Sequence, residues 1–249
     1  MKKLQGYLKF ILLLFNPYVL FGTLLFNFYK LPFKQAIKLP IWLYKPKFYN
    51  FLKGKVIIDT KKITPGMIRL GFMGGKMYPN NGIQISNEGK IIFKGKCCIG
   101  NNSFFVIGPD GELEFGEDFI ASTSLKITCF INIKFGTHVR VGFQNHFMDT
   151  NFHPLFDMEK KKFKRAYGSI EIGDYNWFAM DCCTMHSVST PERCIFGARS
   201  ILTRGSKFES YCVHGGNPIR ILSRNIIRIY GKDYIKKYSK NPDDEIQLL

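Results

Sequence analysis

Short apolar segments alternate with glycine and small polar residues from Gly66 to about residue 200. Between residues 67 and 200 no stretch keeps the 3.6-residue period of an amphipathic helix, so strands are favoured there. A different period is present. Positions six residues apart carry mostly apolar side chains: Ile172, Phe178, Thr184, Thr190, Phe196 and Leu202. Phe135 and Val141 are also six residues apart. This spacing predicts an internal repeat.

A six-residue repeat is typical of a parallel β-helix. Each run of six residues forms one face of a triangular coil, its apolar residue points inward, and Gly, Asn or Asp residues occupy the tight corners. We therefore expect a mainly β domain over residues 66–225. The repeat is interrupted from Thr150 to Gly168, so a projecting, functional loop is expected over residues 150–168.

The first 50 residues have a different pattern. An uncharged apolar run extends from Phe10 to Tyr29, and Asn16-Pro17 interrupts it. We expect a helical leader over residues 1–50 that either lies in the membrane interface or packs on the protein. A bilayer span is a third interpretation, against which the Asn-Pro break argues.

The regions that flank the β domain are expected to be less regular. Prolines at positions 32, 40 and 46 disfavour continuous helix, which predicts an extended linker over residues 51–65. At the other end, residues 226–249 are charged and amphipathic. They predict a short helix that caps the last coil, followed by a tail.

The charge of the chain narrows the range of partners. Lys and Arg number 36 against 19 Asp and Glu, which gives a net charge of +17 at pH 7. Eight lysines and no carboxylate lie in residues 1–50, and the first acidic residue is Asp59. Such an excess fits phosphate-bearing ligands, acidic glycans or a membrane surface. No aromatic–basic platform or helix-turn-helix pattern is present, so we expect no nucleic acid.

The seven cysteines are odd in number and scattered without paired zinc-finger spacing. In a chain of 249 residues this pattern argues against a disulfide framework and favours a reducing cytosol. We assign none of them to metal binding or catalysis.

Four segments occur in a suggestive order along the second half of the chain. They are DTNFHP (Asp149–Pro154), IGDYNWFA (Ile172–Ala179), FGARSILTR (Phe196–Arg204) and GNPIR (Gly216–Arg220). Together they resemble motifs of the hexapeptide-repeat acyltransferases, which fold as a left-handed parallel β-helix. The leader is similar to that of a subgroup associated with capsular or lipopolysaccharide O-acetylation.

The resemblance implies an enzyme that transfers an acetyl group from acetyl-CoA to a hydroxyl of a surface polysaccharide or its precursor. It also implies a homotrimer. We expect a cytoplasmic protein, in peripheral contact with the inner face of the cell membrane if residues 1–50 bind it.

Candidate catalytic residues follow from the chemistry and the resemblance together. Acyl transfer to a hydroxyl needs a base within hydrogen-bond reach and a donor to the oxyanion. Histidine suits the base role because it titrates near neutrality, and His153 lies in the interruption of the repeat. Asp149 either orients that imidazole, contacts the acceptor or is a corner carboxylate. The resemblance places the oxyanion and thioester region at Trp177, with a backbone amide of Ala179 or Met180 as donor.

For the donor, the resemblance assigns Ala198, Thr203 and Arg204 to the path of acetyl-CoA, and Arg220 lies where it would meet a phosphate. The sequence also departs from the family pattern at three places. Phe178-Ala179 replaces Ile-Gly, Thr190-Pro191-Glu192 replaces Ile-Gly-Asp, and Arg199 replaces a corner glycine.

Two alternatives from other classes remain open. One is a non-catalytic, trimeric β-helix that acts as a scaffold in polysaccharide assembly. The other is a zinc-dependent lyase like the γ-class carbonic anhydrases, which would need His138, His146 and His153 to converge on the metal. Their separations of 8 and 7 residues do not match a six-residue pitch, and we expect no metal.

Overall fold

The computed structural model describes residues 16–72 and 77–229. Its strands follow one another around a three-sided prism, numbered here in chain order. Sheet A contains nine of them: β1 (Ile41–Leu43), β4 (Ile68–Phe72), β7 (Cys97–Gly100), β10 (Phe119–Ala121), β13 (Arg140–Val141), β18 (Trp177–Phe178), β21 (Ile195–Phe196), β23 (Cys212–Gly215) and β24 (Arg220–Arg224). Sheet B contains seven: β2 (Pro46–Tyr49), β5 (Ile83–Asn87), β8 (Ser103–Ile107), β11 (Lys126–Cys129), β14 (His146–Met148), β19 (Cys183–Thr184) and β22 (Ile201–Leu202).

Sheet C completes the prism with six strands: β3 (Lys55–Ile58), β6 (Lys90–Phe93), β9 (Glu112–Phe115), β12 (Asn132–Phe135), β17 (Ile170–Ile172) and β20 (Ser189–Thr190). The chain passes from sheet A to B to C and back to A, and neighbouring strands within each sheet are parallel, apart from the antiparallel pair β23–β24. This topology is a parallel β-helix, as the six-residue spacing predicted. A separate hairpin, β15 (Leu155–Asp157) with β16 (Lys162–Lys164), stands outside the three sheets.

The predicted ladder of six-residue spacing lies inside the prism. All of its members are buried: Ile172, Phe178, Thr184, Thr190, Phe196 and Leu202. Residues three rungs apart are partners in adjacent strands, for example Phe178 with Phe196. Thr190, at the place where the family pattern is broken, accepts a hydrogen bond from Asn176 Nδ2 at 2.7 Å, and the coil continues without interruption.

The coils shorten along the prism. Apart from the pair Arg140–Trp177, which spans the loop, the sequence separation between register partners in sheet A falls toward the end of the chain, as the following pairs show: Cys97 with Phe119, Ile120 with Arg140, Trp177 with Ile195 and Ile195 with Val213. Only the last two pairs are separated by three runs of six. The six-residue period is therefore visible in the second half of the sequence and absent from the first.

The corners are held by residues with positive φ. Between sheets A and B these residues are Asn102, Ser124, Gln144, Asp181 and Arg199, with φ from 57° to 62°. Arg199 thus adopts the left-handed conformation that glycine adopts most readily. At the corner between sheets C and A, side chains at equivalent positions contact one another. His138 Nδ1 lies 2.8 Å from Asp118 Oδ2, and its ring stacks on Tyr175.

The β-helix begins earlier than predicted. Strands β1 to β3 form a complete first coil over residues 41–58, where the sequence predicted the end of the leader and a linker over 51–65. The prolines predicted a linker, but two of them lie at the starts of strands: Pro46 is the first residue of β2, and Pro40 immediately precedes β1. A proline at the start of a strand does not interrupt the ladder of hydrogen bonds.

Two helices precede this coil: α1 (Pro17–Lys30) and α2 (Phe33–Ala36). The predicted break at Asn16-Pro17 is the start of α1, where Asn16 Oδ1 caps the amide of Tyr18 at 3.0 Å. No helix within the described residues is long and apolar enough to cross a membrane. The predicted C-terminal helix lies mostly outside the described residues, and residues 226–229 are not helical.

Candidate active site

The interruption of the repeat forms a loop with a narrow neck. The Asp149 amide donates to the Thr128 carbonyl, and the Gly168 amide returns to the Asp149 carbonyl at 2.9 Å. An antiparallel bridge joins Thr150 to Tyr167. The chain therefore leaves the prism and rejoins it at almost the same point, and the hairpin β15–β16 projects beyond the neck.

Asp149 lies within the prism wall. Its side chain is fully buried, and its carboxylate accepts hydrogen bonds from the backbone amides of Phe130, Ile131 and Asn132 at 2.7–3.0 Å. Burial raises the pKa of this carboxyl above the ordinary aspartate value, although the amides oppose the shift. Of the three roles left open by the sequence, these contacts support the corner carboxylate. No hydrogen bond among the described residues joins it to His153.

His153 is exposed on the outgoing arm of the loop. Its amide donates to the Asn151 carbonyl at 2.7 Å, and the preceding Phe152 ring packs edge-on against Phe130. These contacts fix the backbone while the imidazole faces solvent. An exposed imidazole on an anchored backbone can reach the hydroxyl of a ligand, which a base requires.

The loop also contacts a second histidine that the sequence did not single out. Asn151 Nδ2 lies 3.2 Å from His186 Nε2, and His186 Nδ1 lies 3.2 Å from Ser187 Oγ. His186 follows strand β19 and therefore belongs to the next coil. His186, in the wall of the prism, thus contacts Asn151, which lies two positions before His153. Thirty-five positions separate Asn151 from His186, so no local pattern indicates the contact.

The predicted oxyanion region lies on the adjacent coil. The amide of Ala179 donates to the Phe196 carbonyl at 2.8 Å, so it is already used between coils. Met180 is exposed, and its amide makes no hydrogen bond within the described part of the chain. Between the two predicted donors, the contacts thus favour Met180. The Trp177 ring is covered by the Arg228 guanidinium, whose carbon lies 4.5 Å from the ring centre.

Cysteines near this region are poorly suited to act as nucleophiles. Cys182 and Cys194 are buried, and burial raises the pKa of Cys182 to about 11 and that of Cys194 to about 12. A thiol must ionise to attack, so both remain unreactive near neutral pH.

Three of the four predicted donor-binding residues line one pocket. Thr203, Arg204 and Arg220 surround a cavity of about 690 Å³ near the last coil, and Lys207 joins them. Glu209 also lines the pocket, but the guanidinium of Arg224 pairs with it at 3.2 Å. The pocket therefore has a positive balance that suits an anionic ligand. Ala198, the fourth predicted residue, is exposed elsewhere and does not line this cavity.

The pocket and the loop are two coils apart. Strand β22, which precedes the pocket, follows β19 and β14 in sheet B, and β14 leads into the loop. At the usual spacing between strands, this separation is about 10 Å along the prism. An elongated ligand with a charged end in the pocket would extend along the wall toward His153.

The histidines of the proposed zinc site do not come together. His138 occupies the corner beside Asp118, His146 lies in strand β14, and His153 lies on the loop. Within residues 16–72 and 77–229, no three His, Cys, Asp or Glu side chains converge as metal ligands would.

Comparisons with known proteins found similar solved structures but no matching family and no matching curated protein. The polysialic-acid-specific acetyltransferase NeuO is 20% identical, with 76% of this chain and 90% of NeuO aligned at a TM-score of 0.43. The polysialic acid O-acetyltransferase OatWY is 16% identical over 79% of this chain and 98% of its own, at 0.41. A hexapeptide-repeat acetyltransferase from Vibrio cholerae O1 biovar eltor, solved with acetyl coenzyme A, is 14% identical over 82% and 83%, at 0.37. At these identities the function has to be inferred from this chain's own residues.

Proposed function

We propose that this protein is an acetyl-CoA-dependent O-acetyltransferase that acts on a sugar hydroxyl of a surface polysaccharide or its precursor. The observation that carries the proposal is the placement of His153. It is exposed on an anchored loop, in the DTNFHP motif, and a basic pocket lies two coils away on the same prism.

In the proposed reaction His153 accepts the proton of the sugar hydroxyl as its oxygen attacks the thioester carbonyl carbon. The carbon–sulfur bond breaks, the acetyl group remains on the sugar oxygen, and the imidazolium returns its proton to the departing thiolate. The amide of Met180 is the proposed donor to the oxyanion. No external oxidant or metal is needed to balance this transfer.

The terminal pocket fits the phosphate-bearing end of the donor. Arg204 and Arg220 each offer the planar fork that binds phosphate oxygens through two hydrogen bonds, and Lys207 adds a point charge. Thr203 contributes a hydroxyl at the pocket wall. With its charged end here, the donor would place its thioester toward the loop.

The hairpin supports a negatively charged acceptor. Its tip carries Lys160, Lys161 and Lys162, followed by Lys164 and Arg165, and all are exposed. A cluster of this kind raises the local concentration of an acidic glycan. The same charges would also keep a bare loop tip soluble, so a comparison of acidic and neutral acceptors tests this part separately.

A homotrimer of left-handed prisms in the cytoplasm completes the proposal. His153 and Met180 are both exposed on a single chain, so a neighbouring prism is needed to enclose the reacting groups. Light scattering should give three times the chain mass, and a stable, active monomer would contradict the shared site.

Two measurements test the function. Calorimetry should detect acetyl-CoA binding to the purified chain, and mass spectrometry of the surface glycan should show an acetyl increment that disappears when the gene is deleted. A folded trimer that binds no acetyl-CoA would instead support the scaffold alternative. An acetyl increment that persists after deletion would remove the proposed acceptor.

A further inference from the structure

Helix α1 is buried on one side and exposes apolar side chains on the other. Its inner face packs on the first coil through Val19, Gly22, Thr23, Phe26 and Asn27. Its outer face is exposed and consists of Tyr18, Phe21, Leu24, Leu25, Phe28 and Tyr29. The only polar atoms in those outer side chains are the two tyrosine hydroxyls. Because the other side of the helix is already buried, these exposed apolar side chains indicate a second partner.

The short helix α2 extends the same kind of surface. Phe33, the first residue of α2, and Ile37, the residue that follows its last, are exposed by 72% and 55%. Lys34 and Lys38 alternate with them and are exposed as well. The outer face of α1 and the residues Phe33, Lys34, Ile37 and Lys38 are together called the end face. Both helices precede the first coil of the prism in the chain. The ring centres of Phe28 and Phe33 lie 6.3 Å apart, so the exposed apolar surface continues from α1 to α2, and a contiguous surface of this kind marks an interaction site.

The charges around the end face indicate which kind of partner it fits. Residues 16–58 contain seven lysines and no Asp or Glu. A second copy of this chain would place Lys34 and Lys38 near their own equivalents, which is unfavourable. A leaflet with anionic headgroups offers the opposite charge beside an apolar interior.

The aromatic residues fit that partner too. Tyr18 and Tyr29 lie near the two ends of α1, and Phe21 between them is exposed by 75%. Tyrosine rings favour the boundary between headgroups and acyl chains, where the ring is buried and the hydroxyl stays wet. Phenylalanine and leucine side chains would insert below that level.

We infer that the end face docks on a membrane surface that contains anionic lipids. Helix α1 would lie parallel to the bilayer, with Phe21, Leu25 and Phe28 inserted and Lys34 and Lys38 at the headgroups. This inference does not depend on acyl transfer, because none of the residues involved belongs to the candidate active site.

The test is co-sedimentation of the full-length chain with vesicles. Binding is expected to vesicles made of two parts phosphatidylcholine and one part phosphatidylglycerol, and it should weaken as salt is raised. The double variant Phe21→Glu/Phe28→Glu should lose binding, and Lys34→Gln/Lys38→Gln should weaken it roughly 10- to 30-fold. Matched controls are Leu222→Glu, an exposed apolar residue at the other end of the prism, and Lys61→Gln/Lys62→Gln. Both controls should bind as the unaltered chain does.

Three results would overturn the inference. Equal binding to vesicles of phosphatidylcholine alone would remove the role of anionic lipid. A chain that ignores vesicles but halves its mass when Phe21 and Phe28 become Glu would show that a second copy covers the face. A chain that ignores vesicles until residues 1–15 are deleted would show that this segment covers it. Thermal melting of each variant verifies that the fold is retained.

Discussion

The side-chain amide of Asn27 hydrogen-bonds both backbone polar groups of Ile41. Its Nδ2 donates to the Ile41 carbonyl at 2.6 Å, and its Oδ1 accepts from the Ile41 amide at 3.2 Å. Strand β1 is the first in sheet A, and no strand among the described residues precedes it as a partner. The helix therefore supplies hydrogen bonds that another coil would have made, through the buried side chains of Asn27 and of Thr23, whose Oγ1 accepts from the Leu43 amide at 3.0 Å.

Replacing Asn27 should destabilise the fold rather than alter chemistry. Asn27→Ala leaves the amide and carbonyl of Ile41 buried without partners, which costs about 1–3 kcal/mol for each group. Denaturant unfolding should show the midpoint fall. The control Asn81→Ala removes an exposed amide and should change the free energy of unfolding by less than about 0.5 kcal/mol. Equal midpoints for both variants would contradict this account of the first strand.

Asp149→Ala should also act through stability. Three backbone amides lose a buried acceptor, and hydrogen bonds to charged groups each contribute about 1.5–3 kcal/mol. Asp157→Ala is the matched control, because that carboxylate caps only the exposed amide of Lys160. If Asp149→Ala keeps the melting temperature of the unaltered protein but loses turnover, Asp149 acts in catalysis, and its assignment as a corner carboxylate is wrong.

His153→Ala is expected to lower turnover and to leave stability unchanged. The side chain is exposed, so melting temperature and acetyl-CoA affinity should be retained while turnover falls about 10²- to 10⁴-fold. His138→Gln is the control, since His138 hydrogen-bonds Asp118 and stacks on Tyr175 and should affect stability only. Turnover above about a tenth of the unaltered rate would exclude His153 as the base.

Arg204→Ala and Arg220→Ala should weaken acetyl-CoA binding about 10-fold each, with little change in turnover at saturating donor. Arg224→Ala should weaken it as well, although Arg224 does not line the pocket, because its removal leaves the Glu209 carboxylate unpaired beside the phosphates. Lys90→Gln, at a distant exposed ion pair with Glu112, serves as the control. Unchanged affinity for acetyl-CoA in both Arg204→Ala and Arg220→Ala would show that the donor binds elsewhere.

Acid should destabilise the protein through two histidines. Burial lowers the pKa of His146 and of His214 below the ordinary value of 6.5, so the folded chain binds fewer protons than the unfolded one. Their effect is absent above that value, and stability is lost as the pH falls below it toward the folded values, by up to about 1.4 kcal/mol per pH unit for each histidine. The double variant His146→Gln/His214→Gln should show a shallower loss as the pH falls below 6.5. Unfolding curves at fixed temperature measure this, and parallel pH profiles would contradict it.

The sequence predicted the prism where its coils are regular. Ile172 and its successors recur every six residues because each of the last coils consists of three runs of six and each face carries the same short run. The earlier coils are longer because of their corners, for instance at Gly108 and Gly111, which displace the apolar positions from a six-residue ladder. The first coil could not be predicted for a further reason: prolines spaced as they are here are also typical of a linker.

The candidate site was predicted only as far as local motifs allow. His153 and the arginines of the pocket could be named from their neighbours in sequence. The burial of Asp149 could not, because its three amide partners lie 17–19 positions earlier in a different strand and its connecting turn. The engaged amide of Ala179 likewise depends on Phe196 in the next coil. Such roles follow from the stacking of coils and have no local signal.

The narrow neck of the loop has a consequence for how this protein can change. Residues on either side of it keep their partners across the insertion, as Arg140 with Trp177 and Ile133 with Ile170 show. The residues between Thr150 and Tyr167 are thus an insertion that leaves the pairing of the strands unchanged. Changes within this segment can therefore alter the surface of the loop without altering the pairing of the strands. A hairpin from another protein, grafted between these two residues, would bring its own surface to an unaltered wall.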